Sequence, residues 1–256
     1  MPNPHGDFIW YELITPDPDG AKSFYDAVMG WDVARPASDQ IDYREIRTGD
    51  GAAGGMLRLT AEMQSNGAPP TWLGYVGVDN VDQAVAAIEQ AGGKAMMPAF
   101  EVPNVGRIAM VADPQGVPFY VMRGDSDETS HAFSPTGVGH CGWNELATRD
   151  QKSALQFYTT QFGWTAGDVM PMGEMGDYQF IHHGSERIGA MMKRQEPGPP
   201  PMWNFYFRVA DMNAAAKRTS AGGGTVLHGP MEVPGGDHIV IATDPQGALF
   251  SLVGRV

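Results

Sequence analysis

Two carboxylates occupy the same place in a sequence that is written twice. Glu12 lies in FIWYELITPDPDGAKSFYDAVMGW, Phe8 to Trp31, and Glu145 lies in CGWNELATRDQKSALQFYTTQFGW, Cys141 to Trp164. Trp10, Glu12, Leu13, Phe24, Tyr25, Gly30 and Trp31 return as Trp143, Glu145, Leu146, Phe157, Tyr158, Gly163 and Trp164, at a constant spacing of 133 residues. Each Glu follows a Trp by two positions, which on an extended strand puts acid and indole on one face. Desolvation beside such rings raises a carboxyl pKa toward the range of a general base. The same acid is suited to accept hydrogen bonds from an indole N–H, a tyrosine or backbone groups between paired strands, and Glu is seldom buried without partners. Its presence in both halves fits shared architecture as readily as two active sites, so both roles stand.

The aromatic residues around these acids suit an organic ligand. Trp10, Trp72, Tyr75 and Tyr120 in the first half, and Trp143, Trp203 and Tyr206 in the second, fall on or beside expected strands. Such rings bury large areas and still offer an N–H or O–H handle. For any one of them, filling a core is the alternative. Phe24, Tyr25, Phe157 and Tyr158 lie on helix faces and belong to the core. His140, three residues before Trp143, and Cys141, on the Trp143 face, can reach the rim of a pocket. No pair of histidines has metal-ligand spacing. His182, His183, His228 and His238 read as solvated or structural, Cys141 has no visible base partner for nucleophilic work, and Gly222 to Gly224 stop a helix rather than cradle a phosphate.

The elements that carry these residues follow from periodicity. Phe8 to Ile14 alternates as a strand, Thr15-Pro-Asp-Pro-Asp starts a helix with Ala21, Phe24, Tyr25, Val28 and Met29 on one face, and Gly30 ends it. Strands at Tyr43 to Arg47 and Gly54 to Leu59 follow. A second cycle begins at Trp72, with a strand to Val78, a helix capped by Asp79 or Asn80 and striped by Val81, Ala84, Val85 and Ile88, and a stop at Gly92-Gly93. Strands near Ala95 to Met97, Arg107 to Ala112 and Pro118 to Met122 complete it, with Asp113-Pro-Gln-Gly as a tight turn. The second half repeats the scheme with helices Gln151 to Phe162 and Asp211 to Ser220 and a last hairpin from Ile239 to Val253. Trp72, Tyr75, Val78, Gly92, Glu101-Val102-Pro103 and Asp113-Pro-Gln-Gly return as Trp203, Tyr206, Val209, Gly223, Glu232-Val233-Pro234 and Asp244-Pro-Gln-Gly at a spacing of 131 residues. The expected division is a domain from Asp7 to Gly124, a polar connector from Asp125 to Thr136, and a second domain from Gly137 to Val256.

Composition limits the partners. With 256 residues, 42% hydrophobic and 18% charged, the chain can bury two ordinary cores. A formal charge of -13 argues against gripping nucleic acid or an anionic membrane. A lone cysteine excludes an internal disulfide. No apolar run approaches bilayer length, and MPNPHGDF has no basic flank or apolar core of a signal peptide, so the cytoplasm is the expected location.

Four βαβββ units, with Phe-Tyr and Gly-Trp around the end of the first helix and Asp-Pro-Gln-Gly before the last strand, resemble the vicinal oxygen chelate superfamily. That superfamily holds glyoxalase I, bleomycin-resistance proteins, fosfomycin-resistance enzymes and extradiol dioxygenases. The resemblance covers nearly the whole chain. It implies an α+β fold of two tandem glyoxalase/bleomycin-resistance-like domains with cup-shaped sheets, and a monomer acting as a fused pseudo-dimer. Whether βαβββ units pair within or between halves is left open.

The resemblance also implies a divalent metal held from the first strand, the fifth strand and the last. Counting from the shared motifs places these positions on Trp10 and Trp143, on Leu73 and Asn204, and on Tyr120 and Ser251. Indole and leucine offer no donor, and neutral hydroxyls and amides are feeble ligands for a catalytic ion. The expectation is therefore no cofactor, and binding, with or without metal-free conversion, of a small aromatic or carbonyl-bearing molecule in aromatic-lined cups. The alternative is a divalent-metal-dependent lyase or dioxygenase using a non-standard ligand such as Glu12 or Glu145; as an enzyme, the resemblance implies a lyase, isomerase or dioxygenase-like activity.

Overall fold

The computed structural model of the chain describes residues 3–36 and 41–256. The βαβββ pattern is present four times. The first module is β1 (Phe8–Thr15), α1 (Pro18–Met29), β2 (Asp32–Val33), β3 (Tyr43–Thr48) and β4 (Gly51–Arg58), followed by the short α2 (Ala61–Ser65). The second is β5 (Thr71–Gly77), α3 (Val81–Gln90), β6 (Lys94–Val102), β7 (Gly106–Ala112) and β8 (Pro118–Gly124). The third is β9 (Cys141–Thr148), α4 (Gln151–Phe162), β10 (Thr165–Pro171), β11 (Asp177–His183) and β12 (Glu186–Lys193). The fourth is β13 (Met202–Val209), α5 (Met212–Ala221), β14 (Thr225–Glu232), β15 (His238–Thr243) and β16 (Leu249–Gly254). The strands make two curved mixed sheets, ordered β2-β3-β4-β1-β5-β8-β7-β6 and β10-β11-β12-β9-β13-β16-β15-β14. Among the described residues no helix is long and apolar enough to cross a membrane.

Local chemistry explains the helices. Each of the four long ones begins at an Asx cap whose side chain accepts a backbone N–H three residues on: Asp17 from Gly20, Asn80 from Gln83, Asp150 from Ser153 and Asp211 from Ala214. Gly30 and Gly163 end α1 and α4 in the left-handed region, φ 75° and 68°, where a side chain would be strained.

Contacts divide the chain into two compact units that do not follow the sequence halves. One comprises Trp10–Leu73, His131–Trp143 and Asn204–Val256 and so holds the first and fourth modules; the other comprises Met1–Ile9, Gly74–Ser130 and Asn144–Trp203 and holds the second and third. Strands thus continue within a half, whereas helices pair between halves: α1 packs on α5 in the first unit and α3 on α4 in the second.

The repeated motifs build the same buried network in each unit. In the first, the fully buried Tyr25 hydroxyl donates to Asp244 Oδ2 at 3.0 Å and accepts the Trp72 indole N–H at 3.0 Å. In the second, Tyr158 donates to Asp113 Oδ2 at 3.2 Å and accepts from Trp203 at 3.1 Å. The other oxygen of each Asp closes its own Asp-Pro-Gln-Gly turn, Asp113 accepting from Gln115 and Val117 N–H, and Asp244 from Gln246 and Ala248 N–H. Burial, and then the neighbouring carboxylate, pushes both tyrosines well above the usual phenol range. Burial likewise raises both Asp carboxyls, against the lowering pull of the turn N–H groups.

The Gly-Trp repeat has a matching role. Trp31 donates to Gly139 O and Trp164 to Gly6 O, each at 2.7 Å, tying the end of a helix to backbone just before a first strand.

Candidate functional site

The predicted residues separate by strand parity. Tyr75 and Trp72 are three apart on β5, so they face opposite ways. Trp72 and Trp203 turn to the helix side and are spent in the buried tyrosine–aspartate networks. Tyr75, Tyr120, Trp10, Glu12, Glu145 and Tyr206 lie on the other sheet face, which presents four separate walls.

In the unit holding the second and third modules, Tyr75, Tyr120, Met110 and Met97 stand opposite one another across β5, β8, β7 and β6, and Met122, Ile108 and Phe100 form the next row. The Tyr75 and Tyr120 rings stack at 4.3 Å and 15°. Phe100 and Met97 at the edge are each 37% exposed, so this wall is apolar and open at its rim. The third module of this unit supplies a different wall. Glu145, Ala190 and Phe180 form one row across β9, β12 and β11, with Ala147, Met192 and Tyr178 in the next. Tyr178 donates to Glu145 Oε2 at 2.7 Å, and Arg187 lies over the Phe180 ring at 4.4 Å.

The unit holding the first and fourth modules has the corresponding pair. Glu12, Gly55 and Glu45 align across β1, β4 and β3, and Ile14, Leu57 and Tyr43 follow. Glu12 is 2% exposed. Tyr43 accepts the Trp10 indole N–H at 2.7 Å directly over Gly55, where a Cβ would collide with the Tyr43 hydroxyl. Across β13, β16, β15 and β14 the row is Tyr206, Ser251, Ile241 and His228. Asn204 and Ser251 are paired reciprocally, Asn204 Nδ2 to Ser251 Oγ at 2.9 Å and Ser251 Oγ to Asn204 Oδ1 at 3.1 Å.

His140 is 1% exposed and engages Asp50 Oδ1 at 2.8 Å and Thr48 Oγ1 at 3.1 Å. The Thr48 hydroxyl donates to Asp50 Oδ1 at 2.6 Å, and that bond first, then His140, holds the Asp50 carboxyl down at about 2. Cys141, in direct sequence contact, is buried, and burial pushes its thiol up to about 12. An open surface depression of about 370 Å³ is lined by Gly30, Trp31, Thr48, Asp50 and Gly139 among others and contains none of the predicted ligand residues. Among the described residues no three His, Cys, Asp or Glu side chains gather as a metal-holding group.

Tyr43 and Tyr178, which contact Trp10 and Glu145, are candidate-site residues that the sequence reading did not single out. A signal existed: Tyr43, Ile46, Gly54 and Met56 return as Tyr178, Ile181, Gly189 and Met191 at a spacing of 135 residues.

Four paired βαβββ modules with these motifs define a glyoxalase-type fold, and the chain belongs to the Glyoxalase/Bleomycin resistance protein/Dioxygenase superfamily, whose model matches residues 8–121 and 137–252. It is similar to a Mycobacterium tuberculosis (strain CDC 1551 / Oshkosh) protein named "Putative glyoxylase CFP32", 31% identical over 245 residues covering 95% of this chain and 93% of that one. It is also similar to the anthracycline biosynthesis protein DnrV of Streptomyces peucetius, 28% identical over 265 residues covering 95% and 91%. Among solved structures, the Mn(II)-bound glyoxalase from Novosphingobium aromaticivorans gives a TM-score of 0.67 at 17% identity, covering 98% of this chain and 83% of that one. The 2,3-dioxygenase LapB from Pseudomonas sp. KL28 gives 0.68 at 13%, covering 99% and 93%. At these identities the two structures speak for the fold.

Proposed function

We propose that this protein binds a small aromatic or carbonyl-bearing molecule against its aromatic-lined sheet faces, and does so without the divalent metal customary in its superfamily. The observation that carries the reading is the chemistry at the three customary ligand positions. Leu73 has no donor, the Trp10 N–H is committed to Tyr43, and Asn204 and Ser251 satisfy each other. Tyr120 is 4% exposed and stacked on Tyr75. This donor set does not fit a catalytic divalent ion, which takes histidine nitrogen and carboxylate oxygen.

What remains on the faces is suited to a planar ligand: stacked tyrosines, exposed Met and Phe at the rim, and one carboxylate per first strand. A carboxylate held by a tyrosine hydroxyl, as Glu145 is by Tyr178, is positioned to accept a proton from a bound carbonyl compound. An anthracycline is itself a fused aromatic molecule bearing carbonyls, so the relative named for anthracycline biosynthesis points to the same ligand class.

Glu12→Gln and Glu145→Gln test the role of the acids. With aromatic ligand binding and folding retained, loss of turnover of an identified substrate assigns them catalysis. Unfolding of both variants makes them structural and removes the catalytic part of the proposal.

A further inference from the structure

The two halves have diverged on the wall that carries the repeated glutamate, and the divergence leaves one uncommitted cation. In the first half the wall is closed on itself. Tyr43 sits over Gly55 under the Trp10 indole, and the exposed Arg47 is bonded to Glu45 at 2.6 Å, cancelling both charges. In the second half Phe180 stands at the place of Glu45 and Ala190 at the place of Gly55. Both halves have a β-bulge at the same point, between Ile46 and Arg47 and between Ile181 and His182. An extra residue in one strand re-aims the side chains beyond it, and here it brings Arg187, opposite His182, onto the face of Phe180. The guanidinium lies 4.4 Å over the Phe180 ring and, among the described residues, makes no hydrogen bond or ion pair.

We propose that Arg187, lying over the Phe180 ring, is the docking point for the carboxylate of an aryl carboxylate, and that the corresponding wall of the first half takes no such anion. This rests on the reading that the sheet faces hold aromatic molecules, and it adds the polar group those molecules carry. A guanidinium presents its N–H donors in a rigid planar fork that matches a carboxylate two bonds at a time. Arg187 is exposed and, among the described residues, spends none of those donors on a hydrogen bond or ion pair. Phe180 offers the ligand ring an apolar neighbour beside the same cation. Glu145 closes the other end of the row, two strand spacings or about 10 Å from Phe180. Its negative charge repels a ligand carboxylate and so orients the acid end toward Arg187. Because the chain carries a formal charge of -13, no general attraction for anions competes with this local one.

The test uses ligand-observed saturation-transfer NMR and calorimetry with benzoate, 4-hydroxybenzoate and 1-naphthoate, each matched with its neutral primary amide. Wild type, Arg187→Gln, Arg187→Lys and Arg47→Gln are compared at constant ionic strength. The expected result is that wild type prefers acid over amide by about tenfold or more, the scale of a charge-assisted hydrogen bond. Arg187→Gln abolishes the preference while leaving amide binding and the melting temperature unchanged. Arg187→Lys keeps only part of it, and Arg47→Gln keeps all of it. Amides binding as tightly as acids, or Arg47→Gln costing as much as Arg187→Gln, overturns the inference and leaves the aromatic-face reading standing. Failure of every acid and every amide to bind wild type overturns both.

Discussion

Removing one hydroxyl from the core should unfold the protein measurably sooner. The Tyr25 hydroxyl is at once donor to Asp244 and acceptor for Trp72, at 3.0 Å in each case, inside a fully buried site. Tyr25→Phe keeps the ring contacts with Trp31 and Phe250, at 5.5 and 5.4 Å, so little packing is lost. What is lost is a hydrogen bond to a buried carboxyl, about 1.5–3 kcal/mol, and one to an indole N–H, about 1 kcal/mol. The total, about 3 kcal/mol, corresponds to about 6–12 °C in melting temperature for a chain of this size. Differential scanning calorimetry and urea unfolding measure it, with Tyr158→Phe as the independent repeat through Asp113 and Trp203. If Tyr25→Phe and Tyr158→Phe both stay within about 0.5 kcal/mol of wild type, the ordinary range of surface substitutions, the networks do not stabilise the interior of each unit.

Two further outcomes follow from buried titratable groups. Asp113 and Asp244 have folded-state pKa values raised above the usual 3.8, so the stability they contribute is fully present below 3.8 and is lost as pH rises through the raised values. The stability deficit of Asp244→Asn should therefore grow as pH is lowered from 7 toward 4 in urea titrations, and a deficit that shrinks on acidification contradicts that sign. Cys141, fully buried with its thiol pushed up to about 12, should resist iodoacetamide at pH 8 until the protein is unfolded. Stoichiometric labelling of the folded protein, read by mass spectrometry, would show the thiol to be accessible.

The fold was readable because each repeated residue answers a local demand that permits few substitutes. Gly30 and Gly163 occupy left-handed positions, Trp31 and Trp164 each reach a backbone carbonyl, and the Asp of each Asp-Pro-Gln-Gly serves a turn and a tyrosine together. The Gln has its own task in the second module, where Gln115 brackets the backbone of Asp150, the cap of α4, with two 2.8 Å bonds. The division into compact units was not readable, since four modules of one pattern carry no mark of which helix packs on which. The direction of Trp72 and Trp203 was readable in principle from alternation along β5 and β13. The roles of Tyr43 and Tyr178 were not, despite their regular spacing. Tyr43 accepts the Trp10 indole N–H and Tyr178 donates to Glu145, contacts made between strands distant in sequence. Charge divergence is likewise visible only once register puts Glu45 and Phe180 in the same place.

The central claim, an aromatic-binding protein of this superfamily that works without its metal, is tested most directly by chelation. Binding of the aryl probes to purified protein should be the same with and without an excess of a strong divalent-metal chelator, and elemental analysis should find no stoichiometric divalent ion. Loss of probe binding on chelation, restored by adding back Mn(II) or another divalent ion, would contradict the account and return Glu12 and Glu145 to the role of metal ligands.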